Sequence, residues 1–212
     1  MSNSLLASLT ENRLVWLPEI GVGYYPVKGA PYDASYWERY RGYDRTAMGE
    51  KLTAARVALV RKYVKGESVL PLVDVGIGGG RFVRDMDCFG WDVNESALEW
   101  LRKEKRAVNP WINHVRAATF WDSLEHIHDP SALLQNVREW LFVSCPIFES
   151  PRHCLKSKHF RTDEHCWHFT RAGLETMLRQ FGFGVVEANL MESEIGREDI
   201  GTFVFKRLEN AG

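Results

Sequence analysis

The apolar positions of this chain change period along its length. Between residues 49 and 65, Leu52, Ala55, Leu59, Val60 and Tyr63 share one helical face, with Lys51, Arg56, Arg61 and Lys62 largely off it. That spacing predicts a helix, which Gly66 stops. Short apolar runs then alternate with helical periods. Strands are predicted at 72–75, 88–92, 115–121, 141–147, 184–190 and 201–207, and helices at 79–86, 95–105, 130–140 and 171–181. Pro71 suits the start of the first strand. Asp129-Pro130 opens the helix at 130–140 with a capping acceptor followed by proline, and that helix is expected to bury Leu133, Leu134, Val137 and Trp140. Thr170 caps the next helix.

Strands alternating with helices imply a doubly wound, Rossmann-like α/β domain whose mostly parallel sheet is covered on both faces. The link at 191–200 is too short for a helical crossover, so the last two strands should form an antiparallel hairpin. Residues 1–48 follow neither period. They are rich in aromatics and turn formers, with one short helix expected near 34–41. The expected organisation is a cap at 1–48, acting as packing apron or substrate lid, and one domain at 49–212. Tyr24, Tyr25, Tyr36 and Trp37 are its candidates for a pocket wall.

Composition narrows the function. At 212 residues and 45% apolar content the chain can bury one domain core. Its 27 Lys and Arg against 28 Asp and Glu give a net charge of −1, which argues against a general nucleic-acid or membrane-surface binder. No apolar run approaches the ~18 residues of a transmembrane helix, and the first residues lack the form of a secretory signal. Cys88, Cys145, Cys154 and Cys166 show no tight CxxC spacing, so a reducing cytoplasmic setting is expected. With His153, His159, His165 and His168 they supply the residue types that bind zinc. Only Cys166-x-His168 offers a close pair, and no metal is assigned.

The most informative stretch is Val73-Asp74-Val75-Gly76-Ile77-Gly78-Gly79-Gly80-Arg81, a strand running through glycines into a helix. In open α/β sheets ligands bind at the carboxyl ends of strands, and glycines there let a ligand lie against bare backbone. A dinucleotide fingerprint would need a third glycine at position 81, which is Arg. The pattern Asp-x-Gly-x-Gly-x-Gly instead resembles motif I of class I methyltransferases. That resemblance implies S-adenosylmethionine as the cofactor, with Asp74 suited to its ammonium and Gly76, Gly78 and Gly80 forming the loop. Asp92 ends the second strand, 14 residues after Gly78, where a carboxylate can accept ribose hydroxyls. Val93 and Asn94 would flank the adenine.

A longer stretch carries the family. Ala118 to Pro130, with Leu124-Glu125-His126 before Asp129-Pro130, resembles the segment after strand four of the ubiquinone-biosynthesis-like methyltransferases. His168-Phe169-Thr170 and Phe181-Gly182-Phe183 resemble their segment before the closing hairpin. The resemblance spans about residues 49–207. It leaves the methyl acceptor open, since the family acts on quinols, lipids, sugars, small acids and tRNA bases. Three departures stand out. The stretch after Asp92 is short, so strand three is expected to be very small or absent; no Asp stands where the family often has an adenine-contacting acid; and the aromatic N-terminal segment lies outside the family pattern.

Methyl transfer from a sulfonium requires alignment, exclusion of water and often removal of a proton. Trp121, Asp122 and Ser123 should border the methionine part of the cofactor. Glu125, His126 and His165 are the candidate catalytic groups, although His126 equally fits a packing role. Trp121-Asp122-Ser123-Leu124 lacks the proline-rich segment of DNA amine methyltransferases. Cys145-Pro146 reverses the order used by carbon-5 enzymes. The expected function is methylation of a small-molecule acceptor at oxygen or nitrogen. The alternatives are a non-catalytic domain of the same fold, or a tRNA- or nucleotide-directed enzyme using a basic rim of Arg102, Lys103, Lys105, Arg106, Lys156, Lys158 and Arg161.

Overall fold

The computed structural model describes residues 13–27 and 32–209. Two strands, β1 (Val15–Leu17) and β2 (Val22–Tyr24), precede helices α1 (Ala34–Asp44) and α2 (Ala47–Tyr63). The sheet domain follows as β3 (Leu72–Val75), α3 (Arg81–Met86), β4 (Phe89–Trp91), α4 (Glu95–Lys103), β5 (Val115–Trp121), α5 (Ser131–Asn136), β6 (Val137–Pro146) and α6 (Pro151–Lys156). It closes with β7 (Trp167–Phe169), α7 (Arg171–Gln180), β8 (Phe183–Asn189), α8 (Met191–Glu194) and β9 (Ile200–Arg207).

The main sheet runs β4-β3-β5-β6-β9-β8. Its first four strands are parallel, while β9 is antiparallel to both β6 and β8. This is the expected doubly wound sheet with a closing hairpin. The chain passes from β3 outward to β4 and then crosses back to β5 on the other side of β3, so the strand order reverses there and the crevice for a ligand opens at the carboxyl ends of these strands. The third strand of the general pattern is reduced to one bridge between Gly90 and Ala107.

Each face of the sheet has its own core. Phe120, Leu133, Leu134, Leu174, Phe183 and Phe205 pack on one side. Val57, Val60, Phe82, Leu101, Trp121 and Phe142 pack on the other. Alternate residues of one strand serve the two faces, as Phe120 and Trp121 do. The four cysteines are free and buried, Cys145 in the first core and Cys88 in the second.

Two expectations are corrected. The helix at 130–140 ends at Asn136, and Val137 to Pro146 is a single strand. Leu133, Leu134, Val137 and Trp140 fit a helical period, but pairing decides. Val137 sits opposite Val115, and Arg207 donates to the carbonyls of Leu134 and Val137. The N-terminal segment also has more order than one short helix. β1 and β2 pair with β7 in a three-stranded antiparallel sheet, which joins this segment to the loop region after β6. Strands of three residues carry no readable period.

Candidate active site

The glycine loop begins where β3 ends. Gly76 has φ +77°, and a Cβ on it would stand 2.7 Å from Ser123 Cβ, so only glycine lets the ends of β3 and β5 close on one another. Ser123 Oγ completes this junction by donating to the Val75 carbonyl at 2.5 Å. Asp92 reaches across from the end of β4. Its Oδ2 accepts the Ile77 amide at 2.9 Å and its Oδ1 accepts the Asn94 amide at 2.8 Å. Burial raises the Asp92 pKa, and the two amides act against that rise.

The crevice is a cavity of about 860 Å³. Asp74, Gly76, Gly78, Asp92, Val93, Asn94, Trp121, Asp122 and Ser123 all line it. Gly80 does not; it is the residue before α3, in a left-handed conformation, with its Cα against the Trp100 ring. Asp74 is 1% exposed and accepts the Thr119 hydroxyl at 2.6 Å. Burial pushes its carboxyl up to about 7 despite that bond. Asn94 caps α4 through Oδ1 and donates through Nδ2 to the Asp33 carbonyl, which ties this wall of the cavity to the start of α1. Val93 stays exposed at the rim.

The N-terminal segment forms a second wall. Tyr36 and Trp37 line the cavity as expected, joined by Tyr32, Tyr40 and Tyr43. Tyr24 and Tyr25 do not. Tyr24 bonds His128, and Tyr25 packs edge-on against Phe160. The amide of Arg81 at the start of α3 donates to Asp44 at 3.0 Å.

Asp122 turns the chain out of β5 with φ +56°. A partly buried ion network, centred on the fully buried Glu192, holds it there. Arg197 reaches Asp122 and Glu192 at 2.5 Å each, and Arg56 pairs with Glu192 at 2.7 Å. Burial disfavours the Asp122 carboxylate, but the charge and hydrogen bond of Arg197, with Arg56, outweigh it and hold the pKa low. Sequence reasoning missed Arg56, Glu192 and Arg197. Arg56 and Glu192 are 136 positions apart, and no local pattern announces such a contact.

At the far end the three candidate catalytic residues converge. His126 and His165 line the cavity, and Glu125 lies behind them. Their potential ligand atoms all lie within 4.8 Å of one another. His126 Nδ1 meets the Tyr32 hydroxyl at 3.1 Å, and His165 Nδ1 lies 3.0 Å from the His159 carbonyl. Burial, followed by the Arg161 charge, lowers His126 to about 4. Burial, His126 and Arg161 lower His165 to about 3, so both imidazoles are neutral at neutral pH. Burial and the neighbouring Asp122 push Glu125 well above the usual carboxylate range.

Known proteins agree with this architecture. Magnesium protoporphyrin IX methyltransferase from Synechocystis PCC 6803, solved with bound S-adenosylhomocysteine, superposes with a TM-score of 0.57 at 13% identity, covering 82% of this chain and 93% of that one. A possible histamine N-methyltransferase from Thermotoga maritima gives 0.56 at 17% identity, covering 81% and 98%. The Burkholderia thailandensis 1,6-didemethyltoxoflavin N1-methyltransferase gives 0.53 at 16%, covering 83% and 85%. Among curated proteins none matches this chain in sequence. The sequence profile of the methyltransferase domain matches residues 27–188, and so takes in part of the aromatic segment that sequence reasoning had set outside the family pattern. With three quarters of its length inside that match, the chain belongs to the methyltransferase-domain family, and it shares its fold with these solved methyltransferases.

Proposed function

We propose that this protein transfers a methyl group from S-adenosylmethionine to an oxygen or nitrogen of a small-molecule acceptor. One observation carries the reading: the Gly76–Gly78 loop and the Asp92 carboxylate, joined through the Ile77 amide, line the same cavity at the carboxyl ends of β3 and β4. Each Asp92 oxygen accepts one amide and keeps a lone pair for a ribose hydroxyl. Asp74 lies at the loop end, where the cofactor's ammonium would sit. At about 860 Å³ the cavity is within the range of ~300–1,000 Å³ typical of small-molecule sites.

When bound, the cofactor supplies a methyl already activated by its sulfonium. The chain then has to orient an acceptor and keep water out. Tyr32, Tyr36 and Tyr40 offer ring faces and edges on one side. Glu125, His126 and His165 stand at the acceptor end, where a neutral imidazole is available to take a proton. A small acceptor fits better than a nucleic acid, because much of the basic rim is spent. Arg102 pairs with Glu95, Arg106 with Asp87, Lys158 with Glu198 and Arg161 with Glu164. Among the described residues no helix is long and apolar enough to cross a membrane.

Calorimetry with S-adenosylhomocysteine, followed by transfer of a labelled methyl to a panel of phenols, enols, carboxylic acids and amines, tests this. One equivalent bound and label in a small product are expected. No binding overturns the reading.

A further inference from the structure

We propose that Glu125, His126 and His165 form a binding site for one first-row divalent metal ion at the acceptor end of the cavity. The site stands on its own geometry; only its consequence for catalysis rests on the methyl-transfer reading above.

Glu125 is the strongest indication. It is 1% exposed, and neither carboxyl oxygen has a hydrogen-bond partner among the described residues. Leaving a buried polar group unpaired is costly, and protonation does not remove the cost. A neutral carboxyl still carries an O–H with nothing to accept it. A cation between this carboxyl and the two imidazoles satisfies the group.

The histidines are arranged as metal ligands commonly are. A carbonyl only accepts, so His165 Nδ1 must donate to the His159 carbonyl at 3.0 Å, which leaves the Nε2 lone pair free. Such an outer bond fixes tautomer and ring orientation in metal-binding histidines. The Tyr32 hydroxyl on His126 Nδ1 donates or accepts, and so suits either tautomer. The two rings meet edge to face with centroids 4.7 Å apart.

Two imidazole nitrogens and one carboxylate oxygen suit zinc, iron or manganese in the divalent state. Bonds of about 2.0–2.2 Å require neighbouring donors roughly 3–3.5 Å apart. Three atoms already within 4.8 Å reach that spacing through small side-chain rotations. Arg161 opposes a cation here, but its charge is paired with Glu164 at 2.7 Å. Asp122 adds negative charge nearby.

The consequence is chemical. With the ion bound, His126 and His165 are ligands and no longer bases. Because His126 and His165 line the cavity, an ion held by them would be within reach of an acceptor there. An acceptor hydroxyl binding there would lose its proton to water and present an anionic oxygen to the methyl. That selects acceptors with a hard, acidic oxygen, such as phenols and enols.

The test is metal content and affinity. The full chain is stripped with a chelator and titrated with Zn²⁺ and with Mn²⁺, with and without S-adenosylhomocysteine. One ion per chain is expected, with a thermal midpoint that rises on loading. Glu125→Gln and His165→Ala should each weaken binding by roughly tenfold or more. His114→Ala, an exposed histidine beside Arg138, should leave it unchanged. Absence of binding, or binding unaffected by Glu125→Gln in a variant with native circular dichroism, overturns the site. If S-adenosylhomocysteine still binds in that case, the methyl-transfer reading survives alone. If the ion binds and the nucleoside does not, the reverse holds.

Discussion

Asp92 Oδ2 accepts the Ile77 amide at 2.9 Å, which joins the acid at the end of β4 to the glycine loop after β3. The carboxylate therefore serves the loop and the proposed ribose at once. Asp92→Ala should weaken S-adenosylhomocysteine binding by about 1.5–3 kcal/mol, the scale of a charged hydrogen bond. Asp92→Asn keeps one acceptor oxygen and should fall between. Calorimetry measures both, and an affinity unchanged in the alanine variant removes the ribose role.

With Asp74 at the proposed ammonium position, cofactor affinity should depend on pH. In the free protein burial holds its carboxyl at about 7, so part of the population is neutral near physiological pH. An ammonium beside it favours the ionised form and lowers that pKa. Binding should then release protons below pH 7, and affinity should fall with acidity by up to about tenfold per unit. The folding linkage has the opposite sense. A carboxyl raised from 3.8 to about 7 keeps its proton in the fold, so the free protein loses stability as pH climbs from 3.8 to about 7. Calorimetry in buffers of different ionisation heat at pH 6.5 reads the proton release. Asp74→Asn should abolish it.

The two acids and the glycines between them were legible because they lie within one local strand–turn–strand pattern. Asp74 to Asp92 spans less than 20 residues, and Gly76, Gly78 and Gly80 each hold a positive φ that favours glycine. The Leu124-Glu125-His126 triplet was legible only by resemblance. Its meeting with His165 depends on β7 and the loop before it, which lack periodicity. Val137 shows the limit of patterning. An apolar residue at helical spacing is also an apolar residue at the mouth of a buried strand, and only its partner Val115 settles the matter. The tyrosine wall was half legible, since composition flagged the aromatics without saying which rings face inward.

The ion network below Asp122 should dominate local stability. Glu192 is fully buried between Arg56 and Arg197. Removing its charge leaves two guanidinium groups with Asp122 alone, and breaking a buried pair costs about 3–5 kcal/mol. Glu192→Gln should lie at the low end of that range, because Asp122 remains at 2.5 Å from Arg197. A urea midpoint lowered at constant slope is the expected result. An unmoved midpoint would show that the network is not a stability element.

Two glycines separate the contact between wall and loop from helix propensity. A Cβ on Gly79 would stand 2.3 Å from Asp44 Oδ2 and 2.7 Å from the Arg41 Cα, so α1 must move off the loop to admit it. Gly79→Ala should cost about 1–3 kcal/mol through overpacking. It should also speed amide exchange across 34–44 and weaken S-adenosylhomocysteine, because Tyr36 and Tyr40 on α1 line the cavity. Gly42 lies in the same helix with nothing within 4 Å of an added Cβ. There alanine should stabilise the protein by roughly 0.5–1 kcal/mol by removing glycine's entropy cost, with affinity unchanged. If both variants change exchange in the same direction, the helix responds to propensity alone and its seat on the glycine loop carries no binding energy.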